Sequence, residues 1–174
     1  MTIFNMANTI RHADLVTSFS VQGYNIRADK SIRTFQESIA LVHYGNRTTH
    51  ESNLSLVDID LVDNIEVLEH LNYVQPDFML FEKNHFLTNK RETRLAGYPD
   101  LVVEVWSESD SKYDKGVKFA IYSNSNDKTE HWYIEQDSNT IYCYLGGNKL
   151  DEQSLTSPLK TIHGLEFDLT HLSI

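Results

Sequence analysis

The stretch from residue 101 to residue 135 constrains the fold of this chain more than any other. Leu101, Val102, Val103, Glu104, Val105 and Trp106 form an apolar, β-branched run of strand length. "SESDS" follows with several helix-capping residues, and 111–123 has helical spacing, with Tyr113, Val117, Ala120 and Ile121 along one face. "HWYIEQ" and "TIYCYL" then read as two strands joined through "DSN", a hairpin-like connection. Strand, helix and strand in that order make a βαβ unit, which crosses over right-handedly. The expected fold is therefore a mixed α/β sheet rather than an all-β sandwich, with strand 101–106 at its centre. At 174 residues the chain is long enough for one domain with a substantial core, and 1–174 is read as a single domain.

The remainder is less sharply patterned. Residues 1–29 show no clean periodicity and read as a loose arm or irregular strands ahead of a core of about 31–169. Residues 31–43 read as a helix with Ile32, Phe35, Ile39 and Val42 on one face, which turns Glu37 to solvent. Residues 54–62 alternate like a half-exposed strand, and Pro76 stands at the mouth of an apolar strand over 78–81. The tail is expected to add an edge strand and a closing turn.

Composition excludes several classes. No apolar stretch approaches the roughly 20 residues of a membrane helix, and the first residues lack the apolar run of a secretory leader. Cys143 is the only cysteine, so there is no internal disulfide and no cysteine-rich zinc site. A cytoplasmic protein is expected. A net charge of -10 argues against a surface that grips nucleic acid everywhere, though not against a local basic strip. Positive charge clusters at Lys83, Lys90, Arg91 and Arg94, and again at Lys112, Lys115 and Lys118; the ordinary reading of such clusters is a solvated loop or helix face.

Glu104 is the anomaly. A carboxylate inside a buried strand costs several kcal/mol, roughly, unless its charge is satisfied. Asp100 shares its face but lies about 13 Å away along the strand, too far to share an ion. Asp77, which follows Pro76 and precedes "FMLF", could lie beside Glu104 on a neighbouring strand. Two carboxylates brought close repel, and a divalent cation relieves the repulsion; Mg²⁺ or Mn²⁺ suits oxygen ligands of this kind. The plainer alternatives are a Glu104 paired with Arg or Lys for structural reasons and an Asp77 that only forms a turn. Asp114, Lys118 and Tyr122 are spaced i, i+4, i+8 along the following helix, which by itself is also the spacing of an ordinary surface pair. The eight histidines form no H-x-x-x-H pair, and Cys143 reads as a small buried hydrophobe.

Taken in order, "QPDFMLF … PDLVVEVWSESDSKYDKGVKFAIY … EHWYIEQDSNTIYCYL … GLEFDL" closely resembles the Uma-type putative restriction endonuclease family of the PD-(D/E)XK nuclease superfamily, over residues 74–169. The resemblance implies a restriction-endonuclease-like mixed β-sheet core with flanking helices. It implies a Mg²⁺-dependent (or Mn²⁺-dependent) endonuclease hydrolysing phosphodiester bonds of DNA, with Asp77 and Glu104 as the two acids and the backbone carbonyl of Val105 as a further metal ligand. Trp106 occupies the place where the superfamily usually has its lysine, and the family's displaced lysine falls on Lys118, with Asp114 and Tyr122 as supports. Lys83, Lys90, Arg91, Arg94, Lys112 and Lys115 would then contact DNA phosphates. The rival expectation is a catalytically inactive nuclease-fold module for nucleic-acid or protein interaction, with a homodimer as one form of its assembly.

Overall fold

A computed structural model describes residues 3–29, 32–36, 40–43, 72–82, 86–88, 94–97, 99–107, 112–125 and 127–174. Their centre is a six-stranded sheet in the order β1 (Ile32–Gln36), β4 (Phe78–Glu82), β7 (Leu101–Trp106), β8 (Glu130–Glu135), β9 (Thr140–Leu145), β10 (Asn148–Ser154). β7 and β8 run parallel, joined through the helix α2 (Lys112–Ser125), so the βαβ unit expected from 101–135 is present. The other neighbours are antiparallel, and β8 and β9 form the expected hairpin. A second sheet of four strands has the order β3 (Asn72–Val74), β2 (Ala40–His43), β6 (Arg94–Gly97), β5 (Phe86–Thr88). In the tail, β11 (Leu159–Lys160) pairs with β12 (Glu166–Phe167), and a short 3-10 turn covers Thr170–Leu172.

The alternation along β7 sorts the core into two layers. Leu101, Val103 and Val105 point to one face, where they pack with Trp132, Ile134, Phe78 and Leu80. Val102 points to the other, with Met79, Phe81, Tyr133 and Tyr122 of α2. A strand buried on both faces is what a near-continuous apolar run specifies.

Two sequence expectations are overturned. The N-terminal stretch is neither loose nor extended: Ile3–Asp29 is one helix, α1. Leu15, Val16 and Phe19 enter the core on the first face, and Ile26 packs against it. Phe19 touches the rings of Phe78, Trp132 and Phe167 at centroid distances of 5.6, 6.2 and 5.3 Å. The amphipathic pattern is blurred because Ile10, Val21 and Tyr24 lie exposed on other sides of the helix. Such a helix draws its stability from packing on the sheet more than from its own propensity.

Residues 31–43, read as a helix, contain two strands instead, β1 and β2. The three-residue spacing of Ile32 and Phe35 was misleading because both faces of the sheet are covered. Ile32 joins the first core layer and Phe35 packs on the second, so apolar residues of either parity are buried. Glu37 and residues 54–62 lie outside the described residues.

At Gly23 helix α1 lies close against the sheet. A Cβ there would stand 2.9 Å from Phe78 Cζ and 2.9 Å from Thr34 Cγ2. Both neighbours are stiff, one a buried ring and the other a β-branched side chain. We expect Gly23→Ala to lose stability by roughly 1–2 kcal/mol in urea unfolding, the overpacking exceeding the gain in helix propensity. An alanine variant more stable than wild type would show that α1 has room to shift.

Candidate active site

Two carboxylates meet where β4 begins and β7 ends. The β4–β7 ladder pairs Phe78 with Val103 and Met79 with Val102. Continued by one residue, that register sets Asp77 opposite Glu104, with both side chains on the second face. The backbone N–H of Val105 donates to Asp77 Oδ2 at 2.6 Å, which fixes the Asp77 carboxylate against β7. Glu104 is almost fully buried.

Helix α2 supplies the partners of Glu104. The Tyr122 hydroxyl donates to Oε1 at 2.6 Å and the Lys118 ammonium to Oε2 at 2.7 Å. These two residues are one helical turn apart and so share a face. Tyr122 is buried, while the Lys118 side chain is about one-third exposed. Lys118 also donates to the Gln75 carbonyl at 3.3 Å, just ahead of Asp77.

Helix α1 reaches the site from the other face. Nε2 of His12 lies 3.4 Å from Asp77 Oδ1. Arg11, next to it, donates through Nε to the Gln136 carbonyl and through NH1 to the Leu172 carbonyl, which ties this part of α1 to the β8–β9 turn and the C-terminal segment. No motif in the sequence points to His12. The available signal was its place on the stripe 12, 15, 16, 19, which only becomes a stripe once the segment is known to be helical.

Burial governs the electrostatics of the site. It raises the Glu104 carboxyl to about 7, with the charge of Asp77 adding to the rise. The ion pair with Lys118 and the hydrogen bonds from Lys118 and Tyr122 pull the other way and do not overcome it. Near neutral pH this carboxylate therefore stands at the middle of its titration. Tyr122 is held well above the usual phenol range by burial and then by the Glu104 charge, so it remains a hydrogen-bond donor.

Of the other expected site residues, Lys115 and Val105 have described contacts. Lys115 donates to the Ser107 carbonyl at 3.0 Å, and its ammonium lies 5.2 Å from the centre of the Trp106 ring. Trp106 in turn packs on Tyr133 at a centroid distance of 4.4 Å, so the position two residues after Glu104 carries an aromatic contact. Lys112 and Asp114 belong to α2 and Arg94 to β6, with side chains outside the described residues. Lys83, Lys90 and Arg91 lie outside them altogether. What the structure records of Val105 is its amide on Asp77. Cys143 is buried, and burial pushes its thiol up to about 12, which suits an inert core side chain. Asp77 and Glu104 are the oxygen donors that could hold a divalent cation. Among the described residues, no three or more His, Cys, Asp or Glu side chains are drawn together into a ready metal cluster.

Residues 51–170 match the family Uma2, described as putative restriction endonuclease. The chain belongs to this family. Both acids, Lys118 and Tyr122 fall inside the matched segment, whereas His12 falls outside it. The fold is similar to that of a putative nuclease of DUF820 from Anabaena variabilis, known from a crystal structure, with a TM-score of 0.60 and 13% identity. That similarity covers 93% of this chain and 81% of the other, and it concerns the fold. No curated protein matches the sequence. Among the described residues no helix is long and apolar enough to cross a membrane.

Proposed function

We propose that this chain is a Mg²⁺- or Mn²⁺-dependent endonuclease that hydrolyses phosphodiester bonds of DNA. The observation that supports the reading best is a buried acid, Glu104, held beside a second acid, Asp77, with a lysine from the next helix in contact. The donor set suits such an ion, since hard carboxylate oxygens are offered and the charge of Asp77 disfavours that of Glu104. When bound, the cation supplies an activated water and neutralises charge on the scissile phosphate. The chain's own groups do the rest. Asp77 is pre-oriented by the Val105 amide, and Tyr122 fixes one oxygen of Glu104. In this reading Lys118, partly exposed and paired with Glu104, donates to a phosphate oxygen or to the attacking water as charge develops. Membership of a family described as restriction endonucleases supports DNA as the substrate.

Conversion of supercoiled plasmid to nicked and linear forms by the purified protein tests the proposal. Cleavage is expected with Mg²⁺ or Mn²⁺ and is expected to disappear in excess EDTA. Cleavage that continues unchanged in EDTA would rule out the cation; no cleavage with either ion would favour the second reading. That reading is a catalytically inactive nuclease-fold module for nucleic-acid or protein interaction. The observation in its favour is that Lys118 is already engaged by Glu104 in an ion pair of 2.7 Å.

A further inference from the structure

Every oxygen of the two carboxylates already faces a group of the protein. Glu104 Oε1 accepts from the Tyr122 hydroxyl at 2.6 Å, and Oε2 accepts from the Lys118 ammonium at 2.7 Å. Asp77 Oδ2 accepts from the Val105 amide at 2.6 Å, and Oδ1 lies 3.4 Å from His12 Nε2. As folded, the lining is a closed set of contacts rather than an open ring of donors. Among the described residues no three His, Cys, Asp or Glu side chains form a metal cluster.

The contact made by Lys118 differs from the others. Tyr122 and Val105 are buried, whereas the Lys118 side chain is 31% exposed. Its ammonium also donates to the Gln75 carbonyl at 3.3 Å, two residues ahead of Asp77. It thereby bridges the two segments that carry the acids, through one carboxylate and one carbonyl oxygen. Those are the donor types that a hard metal ion takes. The third N–H of the ammonium has no protein partner among the described residues. We propose that the Lys118 ammonium is the resident cation of the acid pair: it masks Glu104, and a divalent ion gains that carboxylate only by displacing it. The inference rests on the cation reading given above and adds its regulation. Lys118 can leave, because a long, partly exposed side chain can carry its charge out to water. The consequence is a threshold. The acid pair stays masked at low divalent-ion concentration, and the affinity for the ion is set by a competition inside the chain.

The test is binding of the ion alone to the whole protein, without DNA. Free Mn²⁺ is counted by electron paramagnetic resonance for wild type and Lys118→Met, each affinity being taken on its alkaline plateau, where Glu104 is ionised in both. Lys118→Met is expected to bind Mn²⁺ about 10-fold more tightly or better, the scale on which one neighbouring charge changes the occupancy of a carboxylate. A second readout uses wild type itself with isotope-labelled lysine. The Lys118 side-chain signal, assigned by its loss in Lys118→Arg, is expected to move from an ion-paired to a solvated position in step with Mg²⁺ binding. Mn²⁺ that binds Lys118→Met no more tightly than wild type overturns the inference and leaves the cation reading standing. Mg²⁺ that binds wild type while the Lys118 signal stays in place does the same. Absence of Mn²⁺ binding to both proteins overturns both.

Discussion

Lys118→Ala is expected to lower the single-turnover rate of DNA cleavage by at least ~100-fold, the usual scale for one transition-state charge contact. The lysine has no part in the hydrophobic layers, and its ammonium is partly exposed, so the fold is expected to survive. Its loss acts on Glu104 as well. The ion pair and hydrogen bond from Lys118 hold the Glu104 carboxyl down, against burial and Asp77. Without them Glu104 titrates above its present value of about 7, and the pH profile of cation binding moves to the alkaline side. Lys115→Ala is expected to leave the rate nearly unchanged, because Lys115 is engaged with Ser107 and Trp106. If Lys118→Ala cleaves like wild type while Lys112→Ala or Lys115→Ala is inactive, the displaced lysine is another residue. If all three cleave normally, no lysine of α2 acts in the reaction.

Glu104→Gln is expected to abolish cleavage and, at the same time, to stabilise the protein in the presence of EDTA at alkaline pH. In the folded protein Glu104 titrates at about 7, above its ordinary 4.5. Between those values the folded state binds more protons than the unfolded state, so the contribution of this group to stability falls as pH rises through the window. The loss is complete above about 7 and absent below about 4.5. Glutamine resembles the protonated acid and does not titrate. At pH 8 the variant should therefore gain roughly 1–3 kcal/mol in denaturant unfolding, and the gain should vanish toward pH 4. Tyr122 can turn its hydroxyl to accept from the new amide, and Lys118, partly exposed, can find water. A loss of a kcal/mol or more at pH 8 would instead show that the Glu104–Lys118 pair stabilises the fold as a structural salt bridge, as buried pairs do when one partner is removed. Retained cleavage would remove Glu104 from the chemistry.

Much of this site was legible because it lies on regular elements with one period each. The run 101–106 fixes a doubly buried strand, period two places Glu104 on the face of Val102 and Trp106, and a period of 3.6 sets Lys118 and Tyr122 on one side of α2. The pairing of Asp77 with Glu104 was already suggested by two Pro-Asp steps ahead of two apolar strands. Local pattern was enough to narrow those choices.

The N-terminal half of the described chain was decided differently. Residues 3–29 scatter apolar side chains around the helix, and their helical state is settled by Leu15, Val16 and Phe19 docking on a sheet formed from residues far along the chain. Residues 31–43 carry a spacing compatible with a helix, yet Ile32–Gln36 and Ala40–His43 are strands because β4 and β6 offer them hydrogen-bonded edges. The same long-range packing brings His12 to Asp77 across 65 residues of sequence. By itself, then, the sequence indicated the βαβ centre and the strand positions of Asp77 and Glu104, since those follow from the period within each element, whereas their meeting is a contact between β4 and β7. Which helix closes the other side of the site, and that Glu104 titrates near neutrality, were decided only by the tertiary structure. Desolvation and non-local contact depend on what surrounds a residue in space, and short-range sequence pattern carries no measure of either.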